Sequence, residues 1–302
     1  MGDKINLALI GAGNWGKNLA RVFHELGVLR IICDSSENTL LKNAEKYPGI
    51  ITTNSYLEVL TSPEINAVVI ATPAEQHYFL AKKALLSDKH VFVEKPLSIT
   101  AQEGEDLVKT ANKKNKILFV GHILQYHVAV KTVKKMLQIG ELGKLQYVYS
   151  NRLNLGKIRR EENILWSFAP HDISVILSLV GEEPVEVTAA GTNILHPEIA
   201  DTTVTNMKFP SGVGAHIFVS WLHPFKEQKM VIIGDRKMVV FDDTAPISQK
   251  LIIYPHQISW ERGIPIPKKK DGSCIDLSKD WVEPLTSEGR AFINAINGQQ
   301  VL

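Results

Sequence analysis

Gly11-Ala12-Gly13-Asn14-Trp15-Gly16 stands between an apolar run, Ile5 to Ile10, and a segment with a helical pattern, Lys17 to Leu26. Strand, glycine turn and helix in that order make the phosphate-binding start of a dinucleotide fold. Gly11 permits the turn, Gly13 lets backbone approach a pyrophosphate, and Gly16 lets the helix lie close to the strand. The helix start then presents free N–H groups and a partial positive charge to the phosphates. Asp34 ends the next apolar run, Leu29 to Cys33. An acid there accepts hydrogen bonds from the adenosine ribose and repels a 2′-phosphate. No Arg follows it closely, so NAD is expected rather than NADP. Asp34 also suits the cap of the helix from Ser36 to Lys46. Gly11, Gly13, Asn14, Trp15, Gly16, Asp34 and Ser35 are therefore the candidate cofactor residues.

Working outward, strands alternate with helices to residue 121. Strands are predicted at 50–52, 67–71, 90–93 and 117–121, and helices at 75–86 and 100–112, the latter opened by a Thr100/Glu103 capping box. Thr72-Pro73 and Glu94-Lys95-Pro96 follow strand ends, where ligands lie in an open parallel sheet. Beyond residue 121 the pattern changes. A helix is predicted from Tyr126 to Ile139 and a strand from Lys144 to Arg152. A second helix starts on Pro170 and ends at Gly181. Hairpins at 204–221 and 230–241 turn on Pro210-Ser211-Gly212 and Gly234-Asp235. Residues 262–276, rich in Pro, Lys and Gly, read as a surface loop, and Ser287 to Asn297 as a last helix. The expectation is an α/β chain: an N-terminal Rossmann doubly wound parallel sheet over 1–121, then an α+β domain with a mostly antiparallel sheet over 122–302.

Composition narrows the function class. The chain has 302 residues, 44% hydrophobic and 22% charged, with net charge +2 and two cysteines. Nothing there argues for nucleic acid or membrane as partner. Cys33 and Cys274 make no disulfide framework, which fits a reducing cytoplasm. No signal peptide is expected before the first strand, no run reaches membrane-spanning length, and no metal-ligand spacing is present.

Four stretches together resemble a known family: Gly11 to Gly16; Ala71-Thr72-Pro73 with His77; Lys89 to Pro96; and Ala169-Pro170-His171-Asp172. They are similar to the Gfo/Idh/MocA oxidoreductases, which include glucose–fructose oxidoreductase and inositol dehydrogenase. The resemblance implies an active site in the cleft between a Rossmann domain and a sheet domain, with the outer sheet face making a homodimer or homotetramer. It implies a small-molecule sugar substrate and NAD as cofactor. Lys95 matches the motif lysine that contacts substrate and nicotinamide, and His171 the catalytic histidine. The family often has Asp four residues before that histidine, where this chain has Ser167; Asp172 is the alternative carboxylate to orient the imidazole. Relatives usually continue past the equivalent of Leu302 with a loop and a helix, which implies either a longer chain or a member without that cover.

Hydride transfer from a carbinol needs a proton acceptor and stabilisation of the developing alkoxide. His171, in the first turn of its predicted helix, suits the first task because the dipole there disfavours imidazolium. Lys95 suits the second. Glu94 is expected to hold that ammonium or line the nicotinamide pocket, and Thr72, Pro73 and His77 to flank it. Gln125 and Tyr126 open a predicted helix near the domain junction and are candidate substrate contacts. His122 and His127 read as core or hinge contacts. Lys157, Arg159 and Arg160 offer charge to a diphosphate, diluted by Glu161 and Glu162. Residues 151–160 resemble members that serve nucleotide-sugar and surface-polysaccharide synthesis. Trp166 offers a face to a sugar, although core packing is the default for Trp. The expected activity is NAD-dependent oxidation of a sugar, nucleotide-linked or a free polyol. A nucleotide-binding sensor without catalysis is the alternative of a different class.

Overall fold

The computed structural model describes residues 5–156, 158–160 and 162–299. Lys157, Glu161 and Leu302 lie outside the described residues. Two compact units form. The first holds the chain to Ile123 and takes back the segment from Glu283; the second runs from Leu124 to Val282. The last segment, expected in the second domain, belongs instead to the first unit.

In the first unit, β1 (Leu7–Ile10), β2 (Leu29–Cys33), β3 (Ile51–Thr53), β4 (Ala67–Ile70), β5 (His90–Glu94) and β6 (Leu118–Gly121) form one sheet. Its order is β3-β2-β1-β4-β5-β6, and every pair is parallel. Residues of β1 and β4 are buried throughout, because helices cover both faces of such a sheet. Those helices are α1 (Gly16–Glu25), α2 (Glu37–Lys46), α3 (Tyr56–Thr61), α4 (His77–Leu86) and α5 (Ala101–Lys114), with a 3-10 turn at Ala74–Gln76. The Thr100/Glu103 capping box forms as the sequence predicts. The six-residue α3, capped by Ser55, went unpredicted because it is too short to show a period.

The second unit contains α6 (Val128–Gln138) and α7 (Ile164–Val180). Its strands are β7 (Leu145–Leu153), β8 (Glu186–Thr192), β9 (Thr202–Lys208), β10 (Gly214–Ser220), β11 (Glu227–Gly234), β12 (Met238–Asp242), β13 (Leu251–Tyr254), β14 (Gln257–Glu261), β15 (Ile264–Lys268) and β16 (Ser273–Ile275). An eight-stranded sheet runs β16-β13-β12-β11-β7-β10-β9-β8. Its pairs are antiparallel except β7 with β10. One face carries a core that includes Val148, Ile217, Val219, Trp221, Ile232 and Val239 with residues of α6 and α7.

Two expectations fail here. The stretch 262–276 holds β15 and β16 rather than loop alone. Pro265 and Pro267 hid β15; β14 and β15 form a separate two-stranded sheet, where proline is tolerated because each strand is an edge. α7 also starts six residues before Pro170, on an Asn163 cap whose side chain accepts from the Trp166 N–H. Pro170 therefore sits inside the helix, leaving the Trp166 carbonyl without its usual i+4 donor. The last helix, α8 (Pro284–Ile296), has Pro at its start and completes the first unit. Its Phe292 packs edge-on against Phe23 and Phe92.

Candidate active site

The glycine loop is held from below. Gly11 has φ +86°, a region that Gly enters without strain, and its N–H donates to the Cys33 carbonyl at 2.8 Å. A Cβ on Gly16 would stand 2.0 Å from the Gly11 carbonyl oxygen, so only glycine lets α1 start this close to the loop. A Cβ on Gly13 would meet nothing within 4 Å, which leaves space above the loop. α2, α3 and α5 are capped by Ser36, Ser55 and Thr100, whereas no side chain caps α1. The Lys17 and Asn18 N–H groups donate to the Gly13 and Trp15 carbonyls at 3.1 and 2.8 Å, so what the start of α1 offers an anion is its uncapped end and partial positive charge.

Asp34 braces this loop. One carboxylate oxygen accepts the Ala12 N–H at 2.7 Å, the other the Ser36 N–H at 2.8 Å. Ser36, not Asp34, is the cap of α2, which corrects the capping role predicted for Asp34. Ser35 is exposed beside it, as are Asn14 and Trp15 in the loop. The Thr72 hydroxyl is buried with no hydrogen-bond partner, and its methyl lies 3.0 Å from where a Cβ on Gly11 would be. An uncapped helix start, open space over Gly13 and an unmet hydroxyl beside the loop fit a dinucleotide. When bound, NAD supplies the hydride acceptor; the loop and the start of α1 would hold its pyrophosphate, and Asp34 its adenosine ribose.

Beyond β4 the strand ends are locked to one another. His77 is buried, with Nδ1 2.6 Å from the Pro96 carbonyl oxygen and Nε2 2.9 Å from that of Thr72. It ties the loop after β4, at Thr72-Pro73, to the loop after β5. Glu94 ends β5, opposite Gly121 of β6. A Cβ on Gly121 would come within 3.1 Å of the Glu94 carboxyl, so glycine makes room for that group. The Trp15 indole N–H donates to Glu94 Oε1 at 2.5 Å, and the Lys95 N–H to Oε2 at 3.3 Å. Burial pushes the Glu94 carboxyl up to about 7, against the pull of the Trp15 hydrogen bond and the Lys95 charge. His122, next after β6, is lowered by burial and then by Lys95, so it is neutral at pH 7.

In the second unit, His171 lies two turns into α7 rather than in its first turn, and the helix-dipole argument for its neutrality falls with that. Its carbonyl accepts the Ser174 hydroxyl at 2.8 Å. Asp172 is buried and its carboxylate is fully engaged: Arg152 Nε donates at 2.5 Å, Arg152 Nη2 at 3.3 Å and the Ser150 hydroxyl at 2.6 Å. The carboxylate expected to orient the imidazole pins α7 to β7. Gln125 sits in a 3-10 turn, Ile123–Tyr126, and donates to the Ser174 carbonyl at 2.6 Å. Tyr126 lies under the Lys131 ammonium at 5.6 Å. Arg159 pairs with Glu162 at 3.1 Å. Trp166, for which core packing is the default, is 41% exposed. His127 is the core contact expected of it, capping α6 through Nδ1 and packing on Phe241 and Trp281.

Sequence reading missed Ser150, Arg152, Gly121 and Glu288. Glu288 left a trace: Leu285, Glu288, Gly289 and Phe292 form the buried stripe of α8, and an acid on such a stripe is out of place. Among the described residues no group of three or more His, Cys, Asp or Glu is placed to hold a metal ion. No described helix is long and apolar enough to cross a membrane.

A six-stranded parallel sheet with an uncapped glycine-loop helix and an acid after β2 defines a dinucleotide-binding Rossmann unit. Residues 5–122 match the family described as "Oxidoreductase family, NAD-binding Rossmann fold", and residues 130–240 match the "GFO/IDH/MocA C-terminal domain". The chain belongs to the Gfo/Idh/MocA oxidoreductase family. UDP-N-acetylglucosamine 3-dehydrogenase of Acidithiobacillus ferrooxidans is 28% identical over 234 residues, 77% of this chain and 71% of that one. A solved structure of that enzyme has a TM-score of 0.82 at 24% identity, covering 99% of this chain and 90% of the other. The 2,7-anhydro-N-acetylneuraminate hydratase of Mediterraneibacter gnavus is 28% identical over 255 residues, 79% of this chain and 67% of that one. A levoglucosan dehydrogenase in complex with NADH shares the fold, with a TM-score of 0.83 at 18% identity, covering 98% and 90% of the two chains.

Proposed function

We propose that this oxidoreductase moves a hydride from a secondary hydroxyl carbon of a sugar or polyol to NAD. The observation that carries the reading is the clustering of Glu94, Lys95 and His122 at the strand ends of the NAD-binding unit, beyond β4. In this reading Lys95 donates to the reacting oxygen as it turns alkoxide-like, and His171 accepts the hydroxyl proton. Gly11, Gly13, Asn14, Trp15, Gly16, Asp34, Ser35, Thr72, Pro73, His77 and Glu94 hold or flank the cofactor. Tyr126 and the exposed Trp166 remain proposed substrate contacts. Relatives of equal identity are named a dehydrogenase and a hydratase, so residue chemistry rather than identity supports the choice.

The test is NADH formation across a panel of free sugars, polyols and UDP-sugars, with Lys95→Met beside the parent. The variant is expected to bind NAD normally and to turn over about 10²–10⁴-fold more slowly. Equal turnover removes Lys95 from the chemistry, and no NADH with any substrate favours the non-catalytic sensor. One observation favours a free sugar over a nucleotide-linked one: Arg159, a cation expected to meet a diphosphate, is paired with Glu162. Turnover with UDP-sugars alone would reverse that preference. For assembly, we infer pairing through the sheet of the second unit. There β8 is exposed along its whole length, and Val204 stands exposed on the adjacent strand β9, opposite Ala190. Sedimentation of a monomer at all concentrations would overturn it.

A further inference from the structure

The Glu94 carboxylate lies in a half of the sheet that the adenosine-binding acid does not serve. Asp34 follows β2, on one side of β1; Glu94 ends β5, on the other side, where the second mononucleotide half of a dinucleotide is held. Glu94 reaches back from that half to the glycine loop through the Trp15 indole. Gly121 of β6 clears the space it occupies. Lys95 adjoins Glu94 on its own strand, and His122 follows β6 and is neutral. From α8, Glu288 is 1% exposed and has no hydrogen-bond partner on either oxygen. Burial and then the charge of Glu94 raise the Glu288 carboxyl well above its ordinary range. Glu288 is therefore the harder of the two to ionise, and the first negative charge of the pair forms on Glu94 as pH rises through about 7.

The nicotinamide ring carries a positive charge in NAD+ and none in NADH. A buried, incompletely compensated carboxylate distinguishes the two by that charge alone. We propose that Glu94, held by the Trp15 indole at the edge of the dinucleotide seat, sets the preference of that seat for oxidised over reduced cofactor. The proposal rests on the NAD site described above and adds a role that cofactor binding alone does not require. Because the Glu94 carboxyl ionises near neutrality, the preference is present above that midpoint and fades below it. By linkage, NAD+ binding then releases a proton and NADH binding does not.

The experiment is the pair of dissociation constants for NAD+ and NADH, by calorimetry at about pH 6 and about pH 8.5, in the full chain and in Glu94→Gln and Glu288→Gln. In the parent, the Kd ratio NADH/NAD+ is expected to rise on the order of tenfold with pH, the scale of one charge at an intermediate dielectric. Glu94→Gln is expected to flatten the ratio while still binding both forms, and Glu288→Gln to keep its rise. A ratio independent of pH in the parent overturns the proposal. So does a rise that survives in Glu94→Gln or disappears in Glu288→Gln. Failure of the parent to bind either cofactor would instead sink the dinucleotide reading, and the proposal with it. If Glu94→Gln does not fold, proton release on NAD+ binding by the parent, measured in buffers of different ionisation enthalpy, decides the question.

Discussion

The two units bury carboxylates by opposite means. In the second, Asp172 takes two hydrogen bonds from Arg152 and one from Ser150, so its charge is met inside the protein. In the first, Glu94 receives one indole N–H and one long amide N–H, while Glu288 receives nothing. A fully partnered acid fixes an element in place: Asp172 holds α7 against β7. An under-partnered acid keeps a carboxyl whose protonation state neighbouring charge can still move. The contrast separates a carboxylate that is spent on structure from one whose charge is left to respond, although both are buried.

The largest break in that contrast comes from removing the compensating cation. Arg152→Met leaves Asp172 buried and unpaired, and is expected to cost about 3–5 kcal/mol in chemical unfolding. Adding Asp172→Leu should recover most of it; no recovery would mean that Arg152 acts through packing alone. Next comes Glu288. Its folded carboxyl binds a proton that the unfolded chain releases above the usual carboxylate range, so the parent loses stability as pH rises from there. Glu288→Met is expected to gain about 1–3 kcal/mol at alkaline pH and less near the ordinary carboxylate range. A gain independent of pH would contradict a neutral Glu288. The smallest effect belongs to Trp15→Phe, which removes the indole donor and should cost about 1 kcal/mol or less above neutrality. It should also move the Glu94 midpoint upward, readable as a shift in the pH dependence of NAD+ affinity.

Much of this was legible beforehand. The glycine loop, the strand–helix alternation of the first half and the hairpins all rest on short-range rules. Backbone periodicity and turn chemistry act within a few residues, so a window of sequence contains them. The errors share a cause too. Pro170 reads as a helix start because local preference favours proline there; packing of Ile164, Ser167 and Ala169 into the core overrode it and drew the helix back to Asn163. Asp172 beside His171 looks like an orienting group in sequence, but its partners come from β7, twenty and more residues away.

What the chain's order of residues established alone was a dinucleotide-binding first half and a β-rich second half, because glycine spacing and hydrophobic period are local. Only the tertiary structure decided where the charges rest. It returned α8 to the first unit with an acid on its buried face, placed Glu94 against Trp15, and gave Asp172 to Arg152. Burial and pairing set whether a carboxyl is structural or reactive, and both depend on residues that meet only once the chain has folded.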